Sequence, residues 1–325
     1  MGKKIATGLV VILAAAAVVV GVIIYQGDGG EAKPKVVIYN LLSHPILDAS
    51  VKGIKDSLAE EGFGPDKLEI IEVNANGEMD KLNAFAKEVL AVNPKVVIPV
   101  STPVTQAVFK EAPPTQLIVF STVTNPSDVG MDGNPINMTG VCDAVNYEAN
   151  FNLIFELFPQ TKRIGVIYNA GERNSQYGVD QIKKLAEQKG IKLELVTVSK
   201  SQEVVDAAHS LIGNVDVFYV GSDNTVVSAI GGLTKVAYEA RIPVIASDSG
   251  SVSEGALAAV SVDYEELGRR TGTIVAEVLR TGALPADRKP IMFLGNTLIL
   301  NQKAANRIGY EFPDAVEQRA AQVVQ

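Results

Sequence analysis

Residues 217–229 read Val217-Phe218-Tyr219-Val220-Gly221-Ser222-Asp223-Asn224-Thr225-Val226-Val227-Ser228-Ala229. An apolar run ends at a glycine, small polar residues follow, and a helical pattern begins. A short apolar run bounded by turn residues reads as a strand buried on both faces. Ser and Asp before a helical pattern are N-cap residues. The same junction occurs earlier, in Val97-Ile98-Pro99-Val100-Ser101-Thr102-Pro103-Val104. A second echo pairs Val37-Ile38-Tyr39-Asn40 with Val166-Ile167-Tyr168-Asn169. The offset is about 125 residues, too long for a solenoid repeat. It fits two similar strand–helix units, each a doubly wound sheet.

Working outward, the strand–loop–helix order holds along most of the chain. Strands are expected over 36–39, 68–73, 95–100 and 117–120, and again over 163–168, 192–198, 215–220, 243–246 and 256–262. Helical patterns lie over 46–61, 80–92, from 103, and over 147–158, 175–189, 202–212 and 226–240. A helix over 264–280, one strand over 291–300 and a last helical segment are left over. The fold class is therefore α/β: two doubly wound parallel-sheet lobes, with the leftover elements shared between them through a three-crossing hinge. The N-terminal lobe is expected from 35–145 and 263–290, the C-terminal lobe from 146–262 and 291–325.

Composition narrows the class. The chain has 325 residues, 47% of them hydrophobic, with no Trp and a formal charge of -8. A nucleic-acid binder would need a basic face. The single cysteine, Cys142, can form no intrachain disulfide and reads as a small buried apolar residue. Lys3 and Lys4 precede an uncharged run over 5–25. That is ~31 Å of helix at ~1.5 Å per residue, enough to span a bilayer. The run ends in Val22-Ile23-Ile24-Tyr25-Gln26, a poor cleavage sequence, so an uncleaved signal anchor is favoured over a cleaved signal peptide. Either way the lysines stay inside and the rest is exported. Gly27-Asp28-Gly29-Gly30-Glu31 reads as a tether.

In open α/β sheets, ligands bind at the carboxyl ends of strands. The candidates there are Ser43, His44, Ser101, Thr102, Thr105, Ser121 and Thr122 in the first half. In the second half they are Tyr168, Asn169, Ser175, Asp223, Asn224 and Asp248. Ser, Thr, Asn and Asp are also N-cap residues, and both roles can coexist. The halves differ in charge. Ser101, Thr102, Ser121 and Thr122 suit a carboxylate; Asp223 and Asp248 suit an ammonium group. A ligand with both charges, such as an α-amino acid, would bridge them. No G-x-S-x-G elbow, H-E-x-x-H or P-loop occurs, so neither an enzyme nor a cofactor is expected. Two dispersed histidines and one cysteine do not suggest a metal site.

Several motifs together resemble a known family. They are Ser43-His44-Pro45-Ile46-Leu47-Asp48, Ser101-Thr102-Pro103-Val104-Thr105-Gln106, Ile164-Gly165-Val166-Ile167-Tyr168-Asn169, Ser222-Asp223-Asn224-Thr225-Val226-Val227, Ile245-Ala246-Ser247-Asp248 and Gly255-Ala256-Leu257-Ala258, followed by Asp263-Tyr264-Glu265-Glu266-Leu267-Gly268. Over 35–318 the chain is similar to solute-binding proteins of ABC importers with the type I periplasmic-binding fold, in a subfamily with tryptophan- or tyrosine-binding members. The resemblance implies a ligand buried by lobe closure, a permease and an ATPase as partners, and an extracytoplasmic location. The chain departs from lipoprotein relatives in lacking a lipid-attachment cysteine; the membrane contact is expected through the N-terminal helix, and a monomer is expected. A ligand-sensing receptor lobe serving a signalling partner is the alternative, although this chain carries no signalling domain.

Overall fold

The structure is a computed structural model and describes residues 33–325. The expected membrane segment and tether lie outside the described residues. Among those described, no helix is long and apolar enough to cross a membrane.

The chain opens with β1 (Lys35–Asn40), α1 (Pro45–Glu60), β2 (Glu69–Asn74), α2 (Leu82–Ala91), β3 (Val96–Val100), α3 (Thr102–Glu111), β4 (Leu117–Val123) and β5 (Met138–Ala144). It continues through α4 (Tyr147–Leu157), β6 (Arg163–Asn169), α5 (Arg173–Lys189), β7 (Lys192–Val198), α6 (Val204–Leu211), β8 (Val217–Val220), α7 (Asn224–Val227), α8 (Ile230–Glu239), β9 (Val244–Ala246), α9 (Ser249–Ser253) and β10 (Ala258–Ser261). It ends with α10 (Tyr264–Thr281), β11 (Ile291–Leu294), β12 (Thr297–Asn301), α11 (Gln302–Ile308), α12 (Asp314–Glu317) and β13 (Gln322–Val324).

Among the described residues the strands form a six-stranded sheet, β11-β5-β4-β3-β1-β2, and a seven-stranded sheet, β13-β12-β10-β9-β8-β6-β7. Central strands such as β3, Val-Val-Ile-Pro-Val, are buried throughout, as parallel strands covered on both faces must be. The β10–β12 pair is antiparallel. Each sheet has its own apolar core. One is built around Ile38, Ile98 and Phe120; in the other lobe Ile164 and Tyr219 pack one face of the sheet and Phe218 and Leu233 the other. Cys142 is buried within β5.

The chain passes between the sheets after β5, after β10 and after β11. The strand expected over 291–300 is in fact two. Ile291–Leu294 pairs with β5 in the first sheet, and Thr297–Asn301 pairs with β10 in the second. The break falls at Gly295, whose amide donates to Ala144 O at 2.9 Å. A Cβ there would lie 3.1 Å from the Ser261 carbonyl carbon. All three crossings therefore meet at this residue, and a side chain there would press them apart by a few tenths of an ångström. Ile291–Leu294 thus stands with the first sheet rather than with the C-terminal lobe of the expected division. The helix expected over 226–240 is also divided, into α7 and α8. Strand β5, Met-Thr-Gly-Val-Cys-Asp-Ala, carried no clear apolar run and was not anticipated.

Candidate ligand-binding site

The carboxyl ends of the two sheets face each other across a narrow enclosed cavity lined from both lobes. The first lobe contributes His44, Ser101, Thr102, Thr122, Thr124 and Asp143, with Tyr264 from α10. The second contributes Asn174, Ser222, Asp223, Asn224 and Asp248. Leu42, Ile46, Leu47 and Val227 supply apolar wall. Among the described residues no Lys or Arg lines the cavity.

On the first-lobe side the polar groups are held open. Ser101 occupies the N-cap position of α3 at φ 98°, ψ 156°, and its side chain makes no capping bond. That region is nearly exclusive to glycine and costs a serine ~1–3 kcal/mol. Its Oγ is buried and makes no hydrogen bond within the protein. Thr122 also has positive φ, 57°, where the β4–β5 register shifts between Ser121 and Val123. Such a bulge re-aims side chains, here toward the cavity. His44 is 4% exposed, and both ring nitrogens are without a protein partner.

On the second-lobe side the carboxylates are satisfied internally. Asp223 Oδ1 caps α7 by accepting from the Val226 amide at 2.8 Å. Its Oδ2 accepts from the Asn169 amide and the Ser175 hydroxyl. Buried beside it, Glu172 accepts from the Thr225 amide at 3.0 Å, the Thr225 hydroxyl at 2.7 Å and the Asn224 side chain at 2.6 Å. Burial, and then the Glu172 carboxylate, hold the Asp223 carboxyl above its ordinary range. Asp248 caps α9, accepting from the Ser251 amide and hydroxyl, each at 2.7 Å.

Asp143 differs from both. It ends β5 at the first crossing and is 3% exposed. Oδ2 accepts from the Tyr264 hydroxyl at 3.3 Å; Oδ1 makes no hydrogen bond of good geometry, with the Thr124 side chain standing beside the carboxyl. Burial raises its carboxyl from an ordinary 3.8 to about 7.

Of the residues expected from sequence, His44, Ser101, Thr102, Thr122, Asp223, Asn224 and Asp248 line the cavity. The others support it or lie aside. Ser43 donates to Asp48 at 2.7 Å. Thr105 bonds back to Ser101 O at 2.7 Å. Ser121 joins Ser50 and Thr271 at 2.9 and 3.0 Å. Asn169 donates to Thr225 at 2.9 Å. Tyr168 and Ser175 line a smaller cavity behind Asp223. Sequence reasoning missed Asp143, Glu172, Asn174 and Tyr264 as site-forming residues. The quoted Asp263-Tyr264 motif was a signal for Tyr264; β5 offered none for Asp143.

The two lobes touch. A Cβ on Gly250 of α9 would fall 2.5 Å from His44 Cε1 and 3.1 Å from Ile46 Cγ2. Arg173, at the head of α5, pairs with Asp128, beyond β4, at 3.4 Å. The cleft is closed in this conformation.

Residues 35–324 match the family described as ABC transporter substrate binding protein. A tyrosine-binding protein of Clostridioides difficile is 34% identical over 273 residues, 78% of each chain. The ABC domain of Streptococcus pneumoniae, solved in complex with L-Trp, superposes with a TM-score of 0.84 at 30% identity, covering 90% of this chain and 100% of that one. The ligand-free, open structure of a Clostridium difficile substrate binding protein with adhesive properties gives 0.66 at 30% identity, covering 90% and 99%. The closer fit to the ligand-bound structure agrees with the closed cleft seen here. The chain therefore belongs to the ABC transporter substrate-binding proteins, extracytoplasmic proteins that capture a small molecule for a transporter and do no chemistry on it.

Proposed function

We propose that this protein captures an aromatic α-amino acid between its lobes and presents it, enclosed, to a permease driven by an ATPase. The observation that carries this reading is the convergence of unpartnered buried polar atoms on one closed cavity. They are Ser101 Oγ, both His44 nitrogens, Asp143 Oδ1 and Asn174 Oδ1. An unpaired buried polar group costs ~1–3 kcal/mol, so a ligand that pairs with several of them favours the closed form strongly. Three carboxylates face the cavity and, among the described residues, no Lys or Arg does. That charge balance disfavours phosphorylated and dicarboxylate ligands and suits a zwitterion. The apolar wall, together with relatives named for tyrosine and bound to L-Trp, points to an aromatic side chain.

The uncharged run over 5–25, behind Lys3 and Lys4, supports tethering to the membrane by an uncleaved helix. We take the working unit to be one chain, since the cavity is complete within it. Calorimetric titration of the full chain with the twenty amino acids tests the assignment. Binding of Tyr, Trp or Phe is expected; binding of a sugar or a purine instead would overturn it.

A further inference from the structure

The two open ends of the cavity fix which way round such a ligand lies, an inference that rests on the amino-acid reading above. At one end, Ser101 begins α3, and the first-turn amides of Thr102 and Val104 have no partner within the helix. The helix dipole adds positive potential there. The unpartnered, buried Ser101 Oγ points to a ligand at this terminus. At the other end, Asp143 presents a free buried oxygen between two of the crossings, backed by Tyr264. Val100 pairs with Ser121 and Ser121 with Val141, so the strand ends are level. Two strand steps of ~4.8 Å separate β3 from β5. An α-amino acid, with a hydrogen bond of ~2.8 Å at each charged group, bridges that gap.

We propose that Asp143 is the specificity-determining acceptor for the ligand ammonium, and that Ser101 with the first turn of α3 receives the ligand carboxylate. Asp223 and Asp248 then act as architecture, since their oxygens are already held by protein donors. Placing the acceptor at the hinge puts the ligand against the joint that must bend for the lobes to close.

The proposal predicts pH dependence. Below about pH 7 the empty site holds Asp143 protonated, and binding an ammonium group expels that proton. Tyr264 on α10, Tyr147 on α4 and Asp248 at the head of α9 also face Asp143; Cys142 adjoins it on β5 and His44 lines the cavity opposite.

The test is calorimetry on the full chain with L-tyrosine, L-tryptophan and 3-(4-hydroxyphenyl)propionate, which lacks the ammonium group. Wild-type affinity for the amino acid should weaken about tenfold per pH unit below pH 7. Asp143→Asn should lose about a hundredfold or more in affinity, lose the pH slope, and bind the propionate no worse than wild type. His44→Gln should keep the slope. Equal loss for amino acid and propionate, or Asp143→Asn affinity within threefold of wild type, overturns the proposal while leaving the amino-acid reading intact. Wild-type protein that binds no aromatic amino acid overturns that reading and the proposal with it.

Discussion

The two lobes meet the same cavity with acidic and hydroxylic residues, yet they treat them oppositely. In the second lobe, Asp223 and Glu172 are tied into one network of amides, hydroxyls and carboxamides from the β6–α5 and β8–α7 junctions. In the first lobe, Ser101 Oγ, both His44 nitrogens and one Asp143 oxygen are equally buried and left unpaired. A buried polar group that is fully satisfied rigidifies its surroundings; one that is not is costly until something pairs with it. The second lobe thus supplies a stiff platform, and the first supplies groups that a ligand can satisfy.

The sharpest way to break this contrast is to disturb the platform. Glu172→Ala leaves several buried donors without an acceptor and should lower unfolding stability by about 3 kcal/mol or more. Asp223→Ala removes a helix cap and two further bonds and should cost about 2 kcal/mol or more. Denaturant unfolding of the ligand-free chain measures both. If Asp223→Ala kept full stability and lost ligand, the second lobe's acid would be a ligand group, and the contrast would fail.

Much of the fold was legible in the sequence, and the reason is visible in β1, β3, β6 and β8. Their apolar runs are bounded by turn residues because parallel strands covered on both faces must be apolar. Seven of the cavity residues were legible too, since strand-end loops before helices are where ligands bind. The illegible part concerned hydrogen bonding. Asp223 heads a conspicuous junction, and nothing in the one-dimensional pattern says that Asn169 and Ser175, far away in the chain, occupy its oxygens. Asp143 sits in Met-Thr-Gly-Val-Cys-Asp-Ala, where small and polar residues hide a strand. The single strand read over 291–300 hid a crossing because Gly295, read alone, is only a bulge signal; its need arises from Ala144 and Ser261 meeting it in space.

A second comparison sets Asp143 against the satisfied acids through pH. Its carboxyl is raised from 3.8 to about 7 in the folded chain, chiefly by burial. A raised value means the protonated form is favoured by folding. The stability this adds is present below pH 3.8 and is lost as pH rises to about 7. Asp143→Asn stays neutral throughout. Ligand-free variant and wild type should therefore melt alike near pH 4, and the variant should melt higher at pH 8, by a margin worth on the order of 4 kcal/mol. Calorimetric melts at the two pH values check this. A variant that melts lower at pH 8 would show that Asp143 is held as a charged structural group.

The contacts between the lobes divide in the same way, into steric fit and charge. Gly250→Ala drives a Cβ against His44 and Ile46 only when the cleft is closed. Overpacking costs ~1 kcal/mol or more, so affinity should fall about fivefold or more with the melting of the ligand-free chain unchanged. The smallest effect is expected at Arg173. Its side chain is 61% exposed, against 6% for Asp128, and a half-exposed pair of this kind contributes ~0.2–1 kcal/mol. Because the two residues stand on opposite lobes, removing the guanidinium lowers the closed form alone. Arg173→Ala should weaken ligand binding by about two- to fivefold, with the loss appearing as faster release, and salt should shrink the difference between variant and wild type. Stopped-flow release measured at low and high ionic strength separates this from a packing defect, which salt would leave unchanged.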